Sequence, residues 1–277
     1  MIRGMIVDGN NIAKEIIADV RKRVDALSAA PRLCVITVGD NAVTKNFLSV
    51  KEQKARDAGI SVSIRRFPED TTNEELIDAI RQAEEESIIV QLPLPSHIDR
   101  TAVLNSIPVK KDPDVLSAGS RKAFEAGDLS SIPPVVGAVA EILKRNNISP
   151  HGKKAVVLGK GMLVGAPIAL WLEHEGAHVR VLDHESGDIS DYTRAADIIV
   201  SGVGRSNLIR PDMIRDGVVL LDAGTSEAEG ELKGDADPAC ATKCSLFTPV
   251  PGGIGPVTIS MLLQNIVTLA EATPASD

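Results

Sequence analysis

Thr248-Pro249-Val250-Pro251-Gly252-Gly253-Ile254-Gly255-Pro256-Val257-Thr258 combines residue types that constrain a backbone in opposite senses. The prolines fix φ and withhold N–H donors, while the glycines allow conformations and close approaches that side chains forbid. A connective turn seldom needs more than one or two such residues, so the segment reads as a loop presenting bare backbone to a ligand. A helix with a strong apolar face follows over Ile259–Val267, and glycines feeding a helix N-terminus suit an anion.

Gly159-Lys160-Gly161-Met162-Leu163-Val164-Gly165 points to dinucleotide binding. The first glycine makes the tight turn, the second lets backbone approach a pyrophosphate, and the last allows close helix–strand packing. The spacing is G-x-G-x-x-x-G, not the commoner G-x-G-x-x-G, so the strand before it and the helix after it carry the reading; the plain alternative is a βα turn without ligand. Asp183, at the end of the next strand, can accept from a ribose 2′-hydroxyl, which favours NAD. Lys160 and His184 can each meet a 2′-phosphate, which favours NADP. Lys160 can equally be a solvated charge and Asp183 a helix cap, so the residues leave the choice open.

A third group is sparser. Phe47 and Lys51 share a helix face, although most lysines so placed are simply solvated. Gln91 ends an apolar strand before Pro-Leu-Pro, at the carboxyl end where open α/β sheets place ligands. Asp112 and Asp114 flank Pro113 in an irregular segment, where Asx-turns explain them equally well.

The elements that must position these residues alternate. Helical pattern over 10–28, strand Leu33–Val38, helix over 43–58, strand Ser61–Phe67, a helix opened by Thr72-Asn73-Glu74-Glu75 and strand Ser87–Val90 form one β-α series. Residues 107–134, with prolines at 108, 113, 133 and 134, read as a boundary. A second series runs through helix Val135–Asn146, strand Lys154–Gly159, helix Leu163–Glu175 and strands His178–Asp183, Asp197–Gly202 and Val218–Gly224. Such alternation implies parallel sheets covered by helices. The expected fold class is α/β, with two lobes, 1–134 and 135–256, separated by a cleft.

Composition narrows the partners. With 43% hydrophobic residues but one Trp, one Tyr and four Phe, the core must be built from Ile, Val, Leu and Ala. A formal charge of -8 without a basic block argues against nucleic acid or anionic membrane. The N-terminus lacks an apolar signal region, and no run reads as long enough to span a membrane. Cys34, Cys240 and Cys244 are odd in number and lack the neighbours of a metal site, which indicates a reduced, cytoplasmic protein without metal.

Gly39-Asp40-Asn41, the helix bearing Lys51, Gln91-Leu92-Pro93-Leu94-Pro95, Lys111-Asp112-Pro113-Asp114, Gly159 to Pro167 and Pro251 to Thr258 occur in one order. In that order the chain resembles the bifunctional methylenetetrahydrofolate dehydrogenase/methenyltetrahydrofolate cyclohydrolases over nearly its whole length. The resemblance implies an N-terminal catalytic lobe, a Rossmann-like dinucleotide-binding lobe, and a C-terminal helix, 257–277, packed back on the first. It implies that Lys51 is the catalytic lysine, Gln91 tunes it, and Asp114 holds the pterin's amino-pyrimidine edge. Phe47, Pro251, Gly252 and Gly253 would bind the folate; Gly159, Lys160, Gly161, His184 and Thr225 would line NADP, with NAD the alternative. A homodimer in one-carbon metabolism is implied as well. Three departures stand out: Phe47 replaces the usual tyrosine, Gly161 the usual serine, and the usual Thr-Pro is replaced near Val135-Val136. The competing readings are a two-lobed dehydrogenase of the amino-acid or shikimate type and a dinucleotide sensor without turnover.

Overall fold

The computed structural model describes residues 4–39, 42–228 and 231–272. In chain order the first elements are β1 (Met5–Ile6), α1 (Gly9–Asp25), β2 (Arg32–Val38), α2 (Ala42–Asp57), β3 (Ser61–Phe67), α3 (Asn73–Arg81) and β4 (Ser87–Val90). Then come α4 (Arg100–Asn105), α5 (Ala118–Glu125), α6 (Pro134–Arg145), β5 (Lys154–Leu158), α7 (Gly165–His174), β6 (His178–Leu182) and α8 (Ser190–Ala195). The last are β7 (Ile198–Ser201), β8 (Val219–Asp222), β9 (Ser226–Ala228), β10 (Glu231–Lys233), β11 (Leu246–Phe247) and α9 (Ile254–Ala272).

Two parallel sheets result. One has the order β3-β2-β4, with Cys34 opposite Ser63 on one side and Ile88 on the other. Its middle strand is buried from Leu33 to Val38, as a strand covered on both faces must be. The other sheet has the order β1-β11-β8-β7-β5-β6, again parallel throughout, while β9 and β10 form a separate antiparallel hairpin. Strands β4, β7 and β8 are buried along their whole length. Thr72 and Glu75 close a capping box at α3, which fixes where that helix leaves the first sheet.

The chain divides into two compact units: residues up to Ala13 with Val135–Thr258, and Lys14–Pro134 with Ile259 onward. The first unit holds the six-stranded sheet and the second the three-stranded one. The extreme N-terminus therefore does not stay with the residues that follow it, as a boundary at 134 alone requires. Its reason is β1, which pairs with β11 (Met5 opposite Leu246, Ile6 opposite Phe247) and is extended by Val7 N–H donating to Phe247 O at 2.9 Å. A two-residue strand carries too little pattern to be seen in sequence.

Helix α9 also departs from expectation. It begins at Ile254 and is, among the described residues, the helix long and apolar enough to cross a membrane, with half of its apolar window buried inside the protein. Burial on several sides gives a helix the same all-round apolar character that a bilayer would. Arg23 of α1 ties its far end, donating to both carboxylate oxygens of Glu271 (2.9 and 2.6 Å) and to Thr268.

Candidate active site and dinucleotide site

In the three-stranded unit, Lys51 lies on α2 and Gln91 follows β4 directly. Gln91 N–H still donates to Ile36 O of β2 at 2.8 Å, so the sheet ladder fixes its backbone. Its side-chain N–H donates to Leu92 O at 2.6 Å, leaving Oε1 to accept from Lys51 Nζ at 2.9 Å. Both amide ends are engaged, so the lysine is held from a rigid strand end. The Leu92-Pro93 peptide is cis. Asp40, Asn41 and the Phe47 side chain lie outside the described residues.

Asp114 reaches the same neighbourhood by a strained route. Buried Asp112 accepts Leu116 N–H (3.3 Å) and Ser117 N–H (2.8 Å), a local Asx-type clamp. Inside it Val115 adopts φ 57°, a conformation that is an outlier for a β-branched residue and costs about 1–3 kcal/mol. Burial pushes the Asp114 carboxyl above its ordinary range; the Lys51 charge opposes this and the Asp112 charge adds to it. Asn265 of α9 donates to Pro113 O (2.8 Å) and Ile132 O (2.7 Å), pinning the residue before Asp114. Sequence reasoning gave Asn265 no role; a buried amide on an apolar helix was its one signal.

In the six-stranded unit, the glycine turn joins β5 to α7. Gly159 has φ +95°, and a Cβ on it would lie 3.1 Å from Gly202 O. A Cβ on Gly165 would collide with the Gly159 carbonyl, so helix and turn meet backbone to backbone. Gly161 instead has nothing within 4 Å of its would-be Cβ, which leaves open space where a pyrophosphate would approach. These three environments fit a dinucleotide. Lys160 forms an ion pair with Asp183 Oδ2 while remaining 62% exposed. Asp183 Oδ1 also accepts Glu185 N–H (3.0 Å) and Ser186 Oγ–H (3.2 Å), and the Lys160 bond first, then these, hold its carboxyl down to about 2. His184 and Thr225 are exposed.

The proline–glycine loop lies in this unit too, and part of it serves packing. Gly252 has φ +99° and its carbonyl accepts Gly9 N–H at 2.9 Å; a Cβ on Gly253 would stand 2.5 Å from Pro249 O. Gly255 has open space. Val250-Pro251 is cis.

Two further residues escaped sequence reasoning. Asp222, at the end of β8, and Asp235 are both buried. Asp222 accepts from Gly224 N–H (3.0 Å) and Ala236 N–H (2.8 Å), and burial, with the Asp235 charge adding, raises its carboxyl to about 6. Asp235 accepts from Ser201, Val203 and Arg205. No spacing rule announces two aspartates that meet through a loop and a hairpin.

Residues 7–114 match the family model of the tetrahydrofolate dehydrogenase/cyclohydrolase catalytic domain, and residues 133–274 that of its NAD(P)-binding domain. The chain is 35% identical over 272 residues to the bifunctional protein FolD of Lactobacillus gasseri, covering 95% of this chain and 96% of that one. Among solved structures it is similar to the bifunctional FolD of Campylobacter jejuni (TM-score 0.94, 34% identity, 97% of this chain and 99% of that one). It is similar also to the Trypanosoma brucei enzyme complexed with NADP and an inhibitor (TM-score 0.90, 33% identity, 98% and 99%). With both of its domain models matched, the chain belongs to the bifunctional tetrahydrofolate dehydrogenase/cyclohydrolase family, as a methylenetetrahydrofolate dehydrogenase and methenyltetrahydrofolate cyclohydrolase.

Proposed function

We propose that Lys51, Gln91 and Asp114 carry the folate chemistry and that NADP is preferred over NAD. The observation that supports the first part best is the 2.9 Å bond from Lys51 to a Gln91 whose own amide is anchored at a strand end. The substrate's methylene carbon lies between two nitrogens whose lone pairs stabilise the cation left by hydride loss. Oxidation therefore needs orientation more than acid–base help. NADP, when bound, supplies the hydride acceptor. Hydrolysis of the methenyl cation adds water to the bridging carbon and breaks that carbon's bond to N5, so protons must leave the water and one must reach N5. Lys51, held by Gln91, is the side chain positioned for that transfer. Asp114 accepts the adjacent N–H donors of the pterin edge.

Gly159 and Gly161 face the pyrophosphate, while Lys160, His184 and Thr225 border the rest of the dinucleotide. Asp183 has both oxygens engaged, and exposed Lys160 can turn from it to a 2′-phosphate. A charge-assisted contact of about 1.5–3 kcal/mol corresponds to roughly one to two decades in affinity. An assay following methenyl-tetrahydrofolate formation and decay with each cofactor tests this reading. Lys160→Ala should weaken NADP tenfold or more and spare NAD; better use of NAD by the wild type, or equal weakening of both, means that Asp183 reads the ribose.

The reading extends to a cytoplasmic homodimer without nucleic-acid or membrane partners. It is supported by the charge of -8, by three buried free cysteines and by the family resemblance. A monomer mass in sedimentation would overturn the dimer.

A further inference from the structure

The loop after β7 lies between the two backbone segments read as dinucleotide-binding. On one side Gly202 O comes within 3.1 Å of where a Gly159 Cβ would be, and Val203 Cγ2 within 3.5 Å. On the other, a Gly204 Cβ would stand 3.2 Å from Thr225 O. Val203 and Arg205 are exposed, yet the backbone between them is fastened from beneath. Asp235, fully buried, accepts Ser201 Oγ–H (2.6 Å) and Val203 N–H (2.8 Å) on Oδ2, and Arg205 N–H (2.6 Å) on Oδ1. A Cβ on Gly224 would collide with the same carboxylate, so the turn leading to Thr225 is stacked directly over it.

One carboxylate thus sets the height of two loops at the carboxyl ends of β7 and β8. Those strand ends are where an open parallel sheet receives its ligand. Its hydrogen bonds go to backbone and to one hydroxyl, so it shapes main chain and touches no cofactor itself. Asp222 braces the other side: it accepts Gly224 N–H and Ala236 N–H, and its own N–H donates to Thr248 Oγ1 at 2.6 Å, at the start of the proline–glycine loop.

We propose that Asp235 is a positioning residue for the dinucleotide, templating the 201–205 loop and the 223–225 turn before the cofactor arrives. The proposal rests on reading the Gly159–Gly165 turn as the dinucleotide site. A rigid template removes the ordering cost that a mobile loop would impose on binding, so its loss appears as weaker cofactor affinity. Asn at this position keeps one carbonyl oxygen and turns an NH₂ toward backbone donors, so one side of the clamp is lost.

The test measures NADP dissociation constants and the KM for methenyl-tetrahydrofolate in folded Asp235→Asn, Ser201→Ala and Gly161→Phe. Asp235→Asn should raise the NADP dissociation constant at least tenfold and move the methenyl KM less than twofold. Ser201→Ala, which removes one of three donors, should raise the former about threefold, and it decides the matter if Asp235→Asn fails to fold. Gly161→Phe projects into open space, so it should fold and lose NADP binding. Wild-type affinity in the Asp235 and Ser201 variants, with binding lost in Gly161→Phe, overturns the positioning role and leaves the site reading standing. Equal rises in both constants for Asp235→Asn indicate a general structural role and overturn it also. Normal NADP binding by Gly161→Phe sinks the site reading and the proposal with it.

Discussion

In the site proposed around Lys51, side chains would meet the reactant, and the backbone's task is to hold them. In the site proposed around Gly159, backbone would meet the pyrophosphate, and the side chains beneath hold that backbone. Each region uses a buried aspartate as a fastener, but at different range. Asp112 clamps N–H groups four and five residues ahead, while Asp235 clamps Ser201, Val203 and Arg205 from across a hairpin. The difference teaches where substitution should act. Changing a side chain ought to damage chemistry in the first region and cofactor affinity in the second.

Lys51→Met breaks or sustains that contrast most directly. It should lower hydrolysis of methenyl-tetrahydrofolate by about 10²–10⁴, the range of a positioned acid–base group, while dinucleotide affinity and melting temperature stay near wild type. Near-normal hydrolysis by a folded variant would show that the side-chain cluster is not where the chemistry lies.

Glycine substitutions probe the other region. Gly165→Ala drives a methyl into the Gly159 carbonyl, and the helix must move or the turn must open. A cost of about 1–3 kcal/mol follows from such overpacking, with dinucleotide affinity falling more than tenfold. Gly161→Ser adds a side chain where nothing stands within 4 Å, so stability should change by no more than about 0.5 kcal/mol. Melting curves and cofactor titrations of the pair would read both effects; equal destabilisation would mean that the turn is not built on that one close contact.

The two regions were unequally legible. The main parallel strands of each sheet follow from apolar runs, and the Gly159 turn from spacing in a strand–helix context, whereas the order in which the strands pair does not. Lys51 is unremarkable as a residue, and only the order of motifs along the chain singled it out, whereas Gln91 was marked by its place at the carboxyl end of an apolar strand. Asp112 was visible as a turn former because its bonds are local. Asp235 and Asn265 were not, because each acts on backbone far away in sequence, which no local pattern encodes; Asp222 pairs a local bond to Gly224 N–H with a distant one to Ala236 N–H. The two-residue β1 was lost for the same reason: its pairing partner lies near the other end of the chain.

Titration cuts across the two regions. Asp222 carries a folded-state value of about 6 against an ordinary 3.8, so the native state holds its proton more tightly than the unfolded chain does. The resulting stability is present below pH 4 and is lost as pH rises through 6, by about 3 kcal/mol at most. Asp114 is shifted in the same direction. Asp183 is shifted the opposite way, and its contribution disappears only as pH falls from 4 toward 2, outside that window. Glu75, Glu85, Glu86 and Glu271 are shifted down, so they add stability as pH rises to about 5. Between pH 5 and 7 the Asp222 contribution should therefore make stability decline with pH, and Asp222→Asn should flatten much of that slope. An unchanged slope would assign the proton elsewhere.

The smallest expected effect tests the contrast at its finest grain. Phe47 stands one helical turn before Lys51, where the family ordinarily has tyrosine, just as Gly161 replaces its usual serine. Both variants, Phe47→Tyr and Gly161→Ser, restore a single hydroxyl, worth about 0.5–1.5 kcal/mol if it finds a partner, or roughly two- to tenfold. In a region whose side chains move protons, that hydroxyl should alter hydrolysis more than hydride transfer. In a region whose backbone binds, it should alter cofactor affinity and leave hydrolysis of the methenyl substrate alone. Steady-state rates for both half-reactions, measured on both variants, separate the outcomes. Equal changes in the two rates for Phe47→Tyr would make position 47 a matter of folate placement, and the division between chemistry by side chain and binding by backbone would then hold only from Lys51 onward.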